Sequence, residues 1–256
     1  MKRVLILLAF AVAALAVVLF ARSKHRLADL PNLAYIPHSA DLPAVRRRVG
    51  PTVRTLLAQA GADPGAPVHI RIFKESRELE VWARARDQWR RVKTYPICAW
   101  SGDLGPKLRE GDGQAPEGLY RVDAGLMNPA SRYHLAFNLG FPNALDRANG
   151  RTGSFLMVHG ACMSIDCFAM TDAGIEEIYL MVEAALAAGQ KAVAVHAFPF
   201  RMTDERLARI DASPHREFWL DLAQAAKWFE TRGEVPDFRV ENRRYRIVPP
   251  QTTAGG

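Results

Sequence analysis

Between Val68 and Val122 the apolar positions return at every second residue. The runs VHIRIF, ELEVWAR and WRRVKTYPICAW (68–73, 78–84 and 89–100) predict three strands, joined by turns around 74–77 and 86–88. Their alternation puts Ile70, Ile72, Leu79, Val81 and Val92 on faces that can share a core. A polar loop over 101–113 follows, and Pro116 and Gly118 suit a tight turn feeding another strand. A short strand is expected at Tyr133–Asn138, among loops rich in Asn, Pro and Gly. After residue 170 the period becomes helical. Ile175, Ile178, Tyr179, Val182 and Leu186 share one face of a helix over 173–188, which Thr171 or Asp172 can cap and Gly189 stops. Phe218, Trp219, Leu222, Ala225 and Phe229 mark a second helix over 215–231. Between them, Ala192–Phe198 reads as a buried strand carrying His196. Further upstream, 45–60 has helical spacing interrupted by Pro51, and Arg244–Val248 closes the pattern.

The same pattern sets the N-terminus apart. Lys2 and Arg3 precede an uncharged run, Val4–Ala21, and Arg22, Lys24 and Arg26 follow it. The run has 18 residues, between a signal-peptide core and a full membrane span. Export to the periplasm is therefore expected, with 1–26 as a signal peptide or an inner-membrane anchor. The expected order continues with a linker holding a short helix (27–67), a folded domain (68–248) and a frayed tail (249–256). A 256-residue chain with 49% hydrophobic residues supports one good core. The formal net charge of +7 suits an acidic polymer, an anionic lipid or nucleic acid, or a plain solvated surface. Helix-turn-helix, zinc-finger and RNA-binding signatures are missing from the sequence, so no nucleic-acid partner is expected.

Candidate chemistry concentrates in Ser154–Asp172. The apolar run Phe155–Val158 delivers His159 and Gly160, and Ser164-Ile165-Asp166-Cys167 leads into an expected helix start. An imidazole and a thiol close together can supply a base and a nucleophile. A helix N-terminus immediately after Cys167 would lower its pKa, and its N–H groups could hold an oxyanion. Asp166 would raise the thiol pKa unless it turns away to cap that helix. The plain alternative makes Cys167 and His159 core residues, with Gly160 marking a close backbone approach. His159, Cys162, Cys167 and His196 are a zinc set in kind, but their spacing matches no finger or ribbon. Cys98 and Cys162 read as packing, and a Cys162–Cys167 disulfide would silence the site. Three cysteines leave at least one thiol free in an oxidising compartment. His134 and His196 are core residues or supports of the site.

Taken in order, these motifs resemble the YkuD-type L,D-transpeptidases, and within them the YafK-like branch. His159-Gly160 and Ser164-Ile165-Asp166-Cys167 match the family's histidine-glycine and S-x-G-C. Residues 114–120 (QAPEGLY) are similar to its T-P-x-G-x-Y strand entry. Residues 131–153, 167–179 and 196–203 resemble the YafK-like branch in particular, and the similarity covers about 68–230. The resemblance implies an α+β fold: a mostly β, sandwich- or barrel-like catalytic domain with helices packed on it. It also implies acyl transfer on diaminopimelate-containing peptidoglycan stem peptides through a thioester on Cys167, with His159 as base. Gly160, Ser164, Asp166 and Phe168 would form the supporting oxyanion and backbone shell. Neither metal nor organic cofactor is implied. Two departures stand out: Asp166 replaces the usual glycine, and the His159–Cys167 gap is short, as in the YafK-like branch. Alternatives are an amidase releasing peptidoglycan-linked protein or peptide, and a degenerate envelope protein that binds peptidoglycan.

Overall fold

In the computed structural model residues 38–250 are described. The signal or anchor expected over 1–26 and the tail beyond 250 lie outside them. Among the described residues no helix is long and apolar enough to cross a membrane.

Helix α1, Leu42–Gln59, begins at Asp41, whose carboxylate accepts the Ala44 N–H. It is longer than the sequence pattern implied and runs straight through Pro51. Proline has no N–H for the carbonyl of Arg47. Both residues face solvent, while Val45, Val49, Val53 and Leu57 are buried on the opposite face. Water can therefore satisfy what Pro51 leaves open.

The strands follow as β1 (Val68–Phe73), β2 (Glu78–Ala85), β3 (Gln88–Pro96), β4 (Ala99–Trp100), β5 (Gly118–Val122), β6 (Met127–Asn128) and β7 (Ala136–Asn138). The single strand expected over 89–100 is thus broken at Ile97-Cys98. Short helix α2 (Ala144–Ala148) precedes β8 (Met157–His159) and β9 (Phe168–Ala169). Then come α3 (Asp172–Ala187), β10 (Val193–Phe198), α4 (Asp204–Leu207), α5 (Arg216–Arg232) and the hairpin β11 (Asp237–Glu241) and β12 (Arg244–Val248).

Two five-stranded sheets result, ordered β3-β2-β1-β10-β5 and β4-β9-β8-β7-β6. Helix α3 packs against β1 and β10 of the first and β7 and β8 of the second, and α1 packs on α3. Ion pairs Arg46–Glu183 (2.7 Å) and Arg48–Glu176 (2.6 Å) tie the two helices together. The first sheet is covered on both faces. Ile70, Ile72, Val193 and Val195 enter the main core. Phe73 and Phe198 join Trp219, Leu222 and Ala226 of α5 in a second cluster. The alternation along β10 sends His196 toward this second layer, where its ring centroid lies 4.6 Å from that of His69. The architecture is α+β, as expected, with the long helix α3 between the sheets.

Candidate active site

Strands β8 and β9 run parallel, with Val158 opposite Phe168 and His159 opposite Ala169. Side chains of registered residues share a face, and residues two apart along a strand share it again. Met157, His159, Cys167 and Ala169 therefore line one face. His159 and Cys167 are diagonal neighbours on it.

Each group is held separately. The His159 Nδ1 lies 2.6 Å from the Gly160 carbonyl oxygen. A carbonyl only accepts, so Nδ1 carries the proton and Nε2 is left with its lone pair. Burial pushes the imidazole pKa below its usual value, so the ring is neutral at pH 7. The Tyr133 ring packs beside it at 5.0 Å. The Cys167 sulfur accepts from the Met157 N–H at 3.4 Å and donates to the Phe155 carbonyl at 3.5 Å. Burial pushes this thiol up, with Asp166 adding to the rise and Met157 N–H and Lys107 opposing it. Among the described residues no hydrogen bond joins the imidazole to the sulfur. The resting pair is a neutral base and a neutral thiol, and Cys167 keeps 9% of its surface exposed.

The expected helix N-terminus after Cys167 is not there. Phe168 and Ala169 pair with β8 on one side and β4 on the other, and α3 starts at Asp172 with Thr171 as its cap. Dipole activation of the thiol is therefore removed, and Asp166 caps nothing. Its carboxylate pairs with the buried Lys107 at 3.0 Å. Asp166 has φ +71°, the left-handed conformation that a glycine accepts freely and an aspartate tolerates better than most. The substitution in the S-x-G-C pattern thus leaves the backbone in a glycine-like turn.

The remaining members of the expected shell are held by contacts within the fold. Gly160 donates to the carbonyls of Tyr133 and Leu135. A Cβ there would lie 2.7 Å from Asp172 Oδ1 and 2.9 Å from His134 Cβ, so this glycine lets α3 and His134 approach closely. The Asp166 N–H is taken by Ser101 Oγ at 2.7 Å, and the Cys167 N–H by Ser164 Oγ at 3.0 Å. Phe168 is fully buried in β9. The N–H groups of Gly160, Asp166 and Cys167 are all engaged, so the expected oxyanion shell is not preformed.

Cys98 and Cys162, read from the sequence as packing, form a disulfide, which leaves Cys167 as the free cysteine. With Cys162 bonded and His196 in the other sheet, the zinc set does not assemble, and no metal-binding cluster occurs among the described residues. His134 stands beside Gly160 and places its Nε2 2.8 Å from Glu176 of α3. Lys107 and Ser101 were missed by the sequence reading. Their loop reaches Asp166 only in three dimensions, and only the lysine's position in an otherwise polar, Gly-rich loop marked it. Among the described residues Leu108, Tyr133, Phe155, Met163 and Ile165 are the exposed large apolar side chains, and all sit on segments bordering the site.

No family model matches the chain. Over 186 residues it is 46% identical to the Escherichia coli (strain K12) protein described as "Putative L,D-transpeptidase YafK", covering 73% of this chain and 76% of that one. The counterpart in Escherichia coli O157:H7 matches equally. Among solved structures, the helical cell shape determining protein Pgp2 from Campylobacter jejuni is 18% identical with a TM-score of 0.41, covering 74% of this chain and 80% of that one. Bdellovibrio bacteriovorus Bd1075 is 22% identical with a TM-score of 0.36, covering 54% and 53%.

Proposed function

From the premise that this chain belongs to the L,D-transpeptidases, in their YafK-like branch, we propose that it is a periplasmic cysteine acyltransferase acting on peptidoglycan stem peptides. The observation that carries the reading is the shared face of β8 and β9, with a lone pair free on His159 Nε2 and the free thiol of Cys167 diagonal to it. In the proposed reaction His159 Nε2 takes the thiol proton as the sulfur attacks the carbonyl carbon of the donor peptide. The carbonyl π pair moves to oxygen. Collapse of the tetrahedral intermediate expels the amine, which takes the proton from His159, and leaves a thioester on Cys167. An incoming amine then completes transfer, or water completes hydrolysis, with His159 again relaying the proton. The exposed apolar rim supplies a surface on which a substrate can lie over the recessed sulfur.

Incubation with muropeptides followed by mass spectrometry tests the reading. The expected result is product with the native chain and none with Cys167→Ala; unchanged product would remove Cys167 from the mechanism.

A second reading, a wall-binding protein that turns nothing over, is favoured by the engaged N–H groups and the raised thiol pKa. It requires Cys167 to resist iodoacetamide and thiol-directed acylating β-lactams while the protein still binds sacculi. Rapid selective labelling of Cys167 counts against it.

A further inference from the structure

The link between β8 and β9 is unusually short. Parallel neighbours commonly need a dozen or more residues of crossover, and here residues 160–167 suffice. The path is made by left-handed backbone at Ala161, Cys162 and Asp166, none of them glycine. Such residues persist only when their surroundings hold them. The Cys98–Cys162 disulfide holds the first half. In the second half Ser164 and Ser101 hold the backbone, and a buried cation holds the Asp166 carboxylate.

The Lys107 side chain is fully buried, with its Nζ 3.0 Å from Asp166 Oδ2 and 2.6 Å from Asp112 Oδ1. Asp112 is itself fixed, accepting the N–H groups of Leu108, Arg109 and Gln114. Gly153 makes room for the lysine stem, since a Cβ there would fall 2.7 Å from Lys107 Cε. The other Asp166 oxygen, Oδ1, is buried without a hydrogen-bond partner. A carboxylate next to the nucleophile thus depends on one ammonium group for its charge balance.

We propose that Lys107 is a positioning residue for the reaction: it clamps Asp166 in its left-handed turn and cancels the negative charge beside Cys167, which allows an aspartate to stand where the related motif has glycine. The inference rests on Cys167 being the nucleophile. The charged and titratable groups around the sulfur are Asp166, Lys107 with Asp112 behind it, and His159 across on β8. Removing the lysine leaves the Asp166 charge facing the thiol; removing the Asp166 charge leaves the lysine facing it. The two changes must act in opposite directions.

The test is the pH dependence of Cys167 alkylation by iodoacetamide in the full chain with its disulfide intact, read by peptide mass spectrometry. Lys107→Met is expected to move the midpoint up and Asp166→Asn to move it down, each by about one pH unit. Lys107→Met/Asp166→Asn is expected to return close to the native midpoint. If Lys107→Met does not fold, a downward shift in Asp166→Asn alone supports the proposal, because asparagine also tolerates the left-handed turn. Any other pattern overturns it, including folded variants with an unmoved midpoint, which would make Lys107 a purely structural group. Alkylation needs no turnover. Shifts as expected in a chain whose Cys167→Ala variant still processes muropeptides would therefore sink the nucleophile assignment without touching the lysine–aspartate coupling.

Discussion

Ser164 and Cys167 are bonded to each other twice. The serine hydroxyl accepts the Cys167 N–H at 3.0 Å and donates to the Cys167 carbonyl at 2.6 Å. A single side chain thus closes the turn that presents the sulfur, and it occupies the amide that an oxyanion would otherwise use. Ser164→Ala is expected to cost about 1–2 kcal/mol, the usual worth of two such bonds, and to slow acylation of Cys167 by loosening the turn. Denaturant melts alongside single-turnover acylation measure both.

The imidazole and the thiol titrate away from each other. Burial holds His159 below its ordinary pKa and pushes Cys167 above its own. A neutral imidazole is the form that accepts a proton. The acid limb of kcat/KM is therefore expected below pH 6.5, the unperturbed histidine value, rather than near neutrality. His159→Gln, which keeps the bulk and loses the base, should lower the rate by about 100- to 10,000-fold. A limb above pH 7 that disappears in this variant would contradict the buried-base description.

Three of the four buried histidines make folding pH-dependent. His69 is lowered to about 3, His196 well below its ordinary value and His159 in the same direction, all chiefly by burial. The unfolded chain then binds more protons than the folded one as pH falls below about 6.5, so stability is full above that value and is lost progressively toward pH 3. Urea midpoints between pH 7.5 and 5 should fall with acid. His196→Gln should flatten the dependence, because one of the three proton acceptors is gone.

Cys98 and Cys162 are 64 residues apart in sequence. Closing a loop of that length restricts the unfolded chain by about 4 kcal/mol in the loop-entropy model. Reduction should lower the melting temperature, and the oxidised, denatured chain should titrate one thiol, rising to three after reduction. Two or more thiols before reduction would show that the bridge is not formed.

Lys74 lies beneath the loop that carries Lys107. Its Nζ donates to the carbonyls of Asp103, Gly105 and Ala115 and pairs with Glu117 at 3.1 Å, both side chains being fully buried. Lys74→Met leaves Glu117 as an uncompensated buried charge and is expected to destabilise by about 3–5 kcal/mol. Chemical denaturation measures it; a loss under 1 kcal/mol would mean that water enters freely.

Local periodicity was enough to determine the strands at Val68–Phe73 and Val193–Phe198 and the helix face of Ile175, Ile178 and Val182. Each depends on side chains a few residues apart, so the pattern is written within one element. Tertiary structure alone decided the rest. Phe168-Ala169 became a strand because β4 and β8 flank it, which moved the helix start away from the sulfur. Pro51 was tolerated because it fell on the solvent side of α1. Cys98 found Cys162, and Lys107 found Asp166, across loops whose closure nothing local specifies. Partners distant in sequence are chosen by how the sheets pack, and the charge and hydrogen bonding around Cys167 are properties of that packing.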